Sequence, residues 1–199
     1  MDATDVVDRV EADRQTELSR LGSSKSLYAD TEGELNPDRV LAAMADGLHH
    51  AAAVLRNWAE DESGGPYGDA ADRLDEHYET LEGELGGHDP GEAPAAAAAL
   101  QGIADPDARL GALVGWAMVT DRKAGQVTGY FTGQADPSTA SIVREFGEDY
   151  EAIRAAALDA LGDGDAAVAA EAADSLVAAA YDEYVERLEA QGVNPKPVC

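Results

Sequence analysis

The chain has one cysteine, three lysines and no long apolar run. The cysteine is Cys199, so no internal disulfide can form, and a lone thiol suits a reducing cytosol. The lysines are Lys25, Lys123 and Lys196 among 14 basic residues, and nowhere do Lys and Arg cluster. Direct nucleic-acid binding therefore has no positive support from the charge pattern. No stretch approaches the roughly 20 apolar residues that cross a bilayer. The opening MDATDVVDRVEADR is acidic and lacks the apolar core of a signal peptide. The expectation is a cytoplasmic protein that makes no use of a membrane. No segment alternates apolar and polar residues with period two over six residues, so no sheet is expected.

What is abundant is acid. Forty Asp and Glu face 14 basic residues, a net charge of -26 over 199 residues, and they are spread through every segment. A single acidic tail would read as an interaction arm. A uniform coat reads instead as adaptation to molar salt, where carboxylates hold water and their mutual repulsion is screened within about 3 Å. A haloarchaeal cytoplasm is the expected setting.

The length suits one domain with a real core. Three helix starts share one form: Asn36-Pro37, Asp105-Pro106 and Asp136-Pro137. The Asn or Asp side chain accepts from the free N–H groups of the first turn, and proline there sacrifices no donor. Apolar stripes with steps of three and four follow: Leu41, Met44, Leu48, Ala51, Leu55, Trp58, then Tyr67, Ala71, Leu74, Tyr78, Leu81, Leu85, stopping at Gly86-Gly87. Further stripes run from Leu110 to Phe131, from Ile142 to Leu161, and from Val168 to Leu188. Residues 1–35 read as a helix around Asp5 to Leu21 and an irregular polar link, GSSKSLYADTEGE. Residues 36–191 form the bundle, with a short connecting helix in the alanines of HDPGEAPAAAAALQGIAD, and 192–199 form an extended tail. The predicted fold is all-α, an antiparallel four-helix bundle with an additional N-terminal helix. Gly111 and Gly115, like Gly125 and Gly129, lie one turn apart and are expected to let helices approach closely.

Four places carry chemistry. Asp46 lies three residues before His49 and four before His50, a spacing that chelates a metal or forms a solvated Asp–His pair at the helix surface. His77 falls on the apolar stripe, either as a ligand or as a core histidine bonded to a Tyr or a carboxylate. Asp121 sits at the edge of a stripe and needs a partner, with Arg122, Arg73 and His77 as candidates. The outcome is a plain salt bridge or a buried polar cluster of Asp121, His77 and a Tyr. The GSSK turn offers Ser23, Ser24 and Lys25 as an anion or partner contact, or serves helix capping. Cys199, in a tail stiffened by two prolines, is a possible partner contact, though nothing beside it in sequence lowers its pKa.

The segments LGSSKSLYAD, WAMVTDRKAGQVTGYFTGQADPSTASIVREF and GVNPKPVC together resemble a haloarchaeal family related to rubrerythrin. The likeness runs from about Glu11 to Cys199. Members have been labelled both rubrerythrin-like protein and transcription antitermination protein. The resemblance implies a ferritin-like bundle. A ferritin-like di-iron site takes a Glu from each of two helices and a Glu-x-x-His from each of the other two. Here Leu74 stands three residues before His77 where the paired Glu belongs, and the last two helices contain no histidine. The first expectation is thus a non-enzymatic scaffold or regulatory protein with a degenerate metal site and no cofactor. Its partner would be another protein or a second copy of the chain. The second is a rubrerythrin-like oxidoreductase whose reduced site, His77 and Asp121 joined by Asp46 or His50, holds iron or manganese. The third is an RNA-linked antitermination regulator.

Overall fold

A computed structural model describes residues 2–62 and 64–195, and among them every regular element is a helix. The order is α1 Asp5–Asp13, α2 Gln15–Leu21, α3 Ser24–Asp30, α4 Pro37–Asp61, α5 Tyr67–Leu85, α6 Ala95–Ala98, α7 Pro106–Gly133, α8 Pro137–Leu161 and α9 Ala166–Ala190. The three Asx–Pro pairs sit at the starts of α4, α7 and α8. Asn36 accepts from the Arg39 N–H, Asp105 from that of Ala108 and Asp136 from that of Thr139. At the other end of its hairpin, α5 stops where Gly86 turns left-handed at φ 70°.

Helix α7 is the centre. Residues Leu110 to Val119, LGALVGWAMV, are buried on every side, because a helix without a polar face has nowhere to meet water. Helices α8 and α9 pack along α7, α8 antiparallel to it and α9 parallel. The α7–α9 crossing is close. A Cβ on Gly111 would lie 1.9 Å from the Ala169 carbonyl oxygen, and one on Gly115 would lie 2.7 Å from that of Ala173. Gly125 and Gly129, expected to serve the same purpose, are exposed, and a Cβ on either would meet nothing within 4 Å. On the sixth and seventh turns of α7 that face is turned to solvent.

The α4–α5 hairpin lies across α7 and α8, with long side chains such as Leu48, Trp116, Phe146 and Tyr150 filling the wider gap. Arg109 fixes its end. The guanidinium donates to Glu62 at 2.7 Å and Asp61 at 2.9 Å, caps the Ile103 carbonyl and lies over the Trp58 ring. The stretch 86–105 then carries the chain along α4 through α6, whose Ala96 and Ala97 are buried.

Two expectations for the N-terminal part need correction. The helix from Asp5 to Leu21 breaks at Arg14, which leaves the helical region at φ -117°. Its guanidinium forks onto both Asp174 oxygens at 2.6 Å and so anchors the break to α9, while its N–H still donates to the Val10 carbonyl. The supposed polar link is in part helix α3, which buries Ser26, Leu27 and Ala29. Isolated Leu27 and Ala29 made no visible stripe, yet both face the bundle.

The α7–α9 contact gives opposed predictions for glycines in one helix. Gly111→Ala forces backbone apart and is expected to cost about 3 kcal/mol, the upper part of the overpacking range. Gly125→Ala, in open space, is expected to stabilise by about 0.5–1 kcal/mol. Denaturant unfolding in molar KCl reads both, and equal effects would remove α7–α9 proximity as the reason for the glycines.

Candidate functional site

Among the described residues, His77 is the buried side chain that joins a polar cluster reaching from the bundle interior to its surface. His77, on α5, is 4% exposed and stacks on Phe146 of α8 at 3.8 Å between ring centroids. Its Nε2 donates to Asp149 Oδ2 at 2.8 Å, and Arg73, one turn earlier on α5, donates to the other Asp149 oxygen at 2.6 Å. Tyr150, next to Asp149, meets the His77 ring edge-on at 5.6 Å and that of Trp116 at 5.7 Å. Spacing on α5 puts Arg73 and His77 on adjacent turns of one face, and Asp149 closes both. Two polar atoms of the cluster are buried without a partner, His77 Nδ1 and the Tyr150 hydroxyl.

The electrostatics follow from burial. Removal from water holds the His77 imidazolium below its ordinary pKa of 6.5, against the upward pull of Asp149, and Arg73 adds repulsion. The Tyr150 phenol is pushed far up by burial. Asp121, half-buried, is raised above its ordinary 3.8 first by burial and then by Glu151, with Arg154 and Arg122 pulling the other way.

The sequence-derived site residues fall into separate sets. His77 bonds Asp149 and not Asp121, so the proposed cluster of those two is corrected: Asp121 Oδ1 faces Gly147 of α8, at 3.4 Å from where a Cβ would stand. Asp46 does not pair with His49 or His50. It accepts from His88 Nε2 at 2.7 Å and from the Gly91 N–H at 2.9 Å. His50 donates to the Gly91 carbonyl at 2.8 Å, and His49 lies against Tyr78. Asp46 and His50, one turn apart on α4, thus hold the two ends of residue 91. The reason is the loop: GGHDPG brings its own histidine to Asp46, and a glycine at 91 leaves room for the carboxylate. No group of three or more His, Cys, Asp or Glu converges as a metal site among the described residues.

At the GSSK turn, Ser23 donates to the Arg20 carbonyl at 2.6 Å and does not cap α3 with its side chain. Ser24 opens α3, and Lys25 donates to the Asn194 carbonyl at 2.8 Å, which ties the chain end to α3. Cys199 lies outside the described residues. Asp149 and His88 were missed in the sequence. Asp149 flanks the α8 stripe three residues after Phe146, the same weak signal that drew attention to Asp121. His88 lies in a loop, where periodicity says nothing.

Comparison with protein-family models, with curated proteins and with solved structures finds no match. The class is defined by architecture alone: an all-helical chain of the described residues in which none of the helices is long and apolar enough to cross a membrane.

Two predictions follow from the buried cluster. Tyr150→Phe removes a hydroxyl that bonds nothing, so stability is expected to be unchanged or higher by up to about 1 kcal/mol. A loss above about 1 kcal/mol would mean that the hydroxyl has a partner. His77 is neutral in the fold, so as pH falls below 6.5 the unfolded chain takes the proton first and stability drops, levelling once pH passes the depressed folded-state pKa. His77→Gln keeps a donor for Asp149 but cannot titrate there, and its denaturant midpoint is expected to fall less than that of the parent between about pH 7 and pH 5.

Proposed function

We propose that this chain is a non-enzymatic scaffold or regulatory protein of a salt-adapted cytoplasm, built on a ferritin-like bundle whose metal position has become a structural ion-pair network. The observation that carries the reading is the pairing of Asp149 with Arg73. In a metal-binding bundle the inward carboxylate beside the inward histidine gives its oxygens to a cation of the first row. Here a guanidinium takes one oxygen and the His77 N–H the other. The face of the imidazole is covered by Phe146, and Leu74 stands where a second carboxylate is needed. This donor set does not fit a di-iron or di-manganese centre, and no redox step is derived from it. The ferritin-like assignment draws support from two long hairpins, α4–α5 and α7–α8, joined by one extended crossover.

Between regulation through protein contact and regulation through RNA, the cations favour protein. Arg14, Arg56, Arg73, Arg109, Arg122 and Lys123 are each held by carboxylates, so they form no phosphate-binding face.

Elemental analysis of protein purified in molar KCl tests the reading. Iron and manganese are expected far below one per chain. A content near one that persists through gel filtration and falls in Asp149→Asn would overturn it.

A further inference from the structure

A cavity of ≈ 100 Å³ lies between α4 and α7, with α3, α6 and Arg187 of α9 at its edges. Its walls are Leu27 of α3, Met44 and Leu48 of α4, and Trp116, Val119 and Val127 of α7. Protein interiors pack to crystal density, with few voids larger than a water molecule. A void of this size therefore needs a cause, and the topology supplies one. The short helices α3 and α6 each touch α4, α7 and α9. They bridge the gap at its two ends and keep α4 from settling onto α7. The cavity opens toward solvent past Asp30, Thr31 and Thr120, while its apolar walls offer the contact that lets an engineered cavity of about 150 Å³ bind benzene.

The rim selects the charge of the guest. Its two cations are already neutralised, Lys123 by Asp30 at 2.8 Å and Arg187 by Glu183 at 2.6 Å. Asp46 and Glu92 stand at the same rim and repel an anion. The rim also has a movable side. Glu92 and Pro94 belong to the stretch after α5, which is fastened to α4 by the Asp46 and His50 bonds to Gly91 and by His88 on Asp46. Asp46 is both a wall of the cavity and the anchor of that stretch.

We propose that this cavity is a binding site for a small uncharged apolar molecule, of the size of a single six-membered ring, and that the histidine-fastened stretch 86–94 is its door. His77 and Asp149 do not line the cavity; its wall meets their cluster only through Trp116, which packs edge-on against Tyr150. A ligand-responsive cavity beneath a fastened loop gives a scaffold protein a way to report on its surroundings, because a guest that binds only the closed form stabilises it.

The test titrates fluorobenzene into the full chain in molar KCl, followed by ¹⁹F NMR and by the methyl signal of Met44. Expected are saturable binding, a shift of the Met44 methyl, and a higher melting temperature as the probe concentration rises. Benzoate, the same ring with a charge, is expected to bind at least tenfold more weakly. Ala43→Leu and Val119→Phe, which fill the space from opposite walls, are each expected to weaken fluorobenzene binding at least tenfold. Where one fails to fold, the other carries the test. His88→Ala is expected to speed probe exchange severalfold. Absence of saturable binding in the parent chain overturns the proposal, as does benzoate binding as tightly as fluorobenzene or binding untouched by the filling variants. Unchanged exchange in His88→Ala overturns the door. Metal content of the same preparation is read separately, so failure here is distinct from failure of the scaffold reading.

Discussion

The crossing of α7 and α9 through Gly111 and Gly115 is the constraint from which the rest of the arrangement follows. With the Ala169 carbonyl oxygen 1.9 Å from where a Cβ would stand, only glycine allows this approach. The parallel α9 thereby takes one side of the first half of α7, and α8 takes another. The α4–α5 hairpin is left the remaining side, where the facing residues are large rather than small. One central helix thus has a tight contact on one flank and a loose one on the other. The ten buried residues from Leu110 to Val119 are the signature of that central place.

The loose side is where polar groups and empty space are tolerated. A histidine enters the interior between α5 and α8 because a part-buried carboxylate satisfies it, and an exposed guanidinium satisfies the carboxylate in turn. Burying a charge pair costs desolvation that its attraction repays only with good geometry. The Arg73–Asp149–His77 set meets that condition at the edge, since Arg73 stays half in water while Asp149 reaches inward to the imidazole. The unpartnered His77 Nδ1 and Tyr150 hydroxyl mark the limit of that compensation. Breaking the set from the Asp149 side would leave a neutral imidazole with neither nitrogen bonded.

The histidines away from the core do mechanical work of another kind. His50, His88 and Asp46 convert an irregular stretch with Gly91 and Pro94 into a strap across α4. Short-range bonds to backbone suit this task, because the strap has too few apolar side chains to hold itself down. The same stretch borders the cavity, so the loop, the cavity and the α4 turn bearing Asp46 form one connected unit.

Helix type, the three capped starts and the buried stripes were legible in the sequence, because caps and 3.6-residue periodicity are local. The missing Glu before His77 was equally legible, since it is a matter of spacing along one helix. Which pair of glycines makes the close contact was not: Gly111 with Gly115 and Gly125 with Gly129 have the same spacing, and only the direction of α9 decides between them. Asp149 as the partner of His77, and His88 as the partner of Asp46, were hidden for the same reason. Each joins residues more than 40 positions apart, and charge and hydropathy along a chain hold no record of which distant turns face one another.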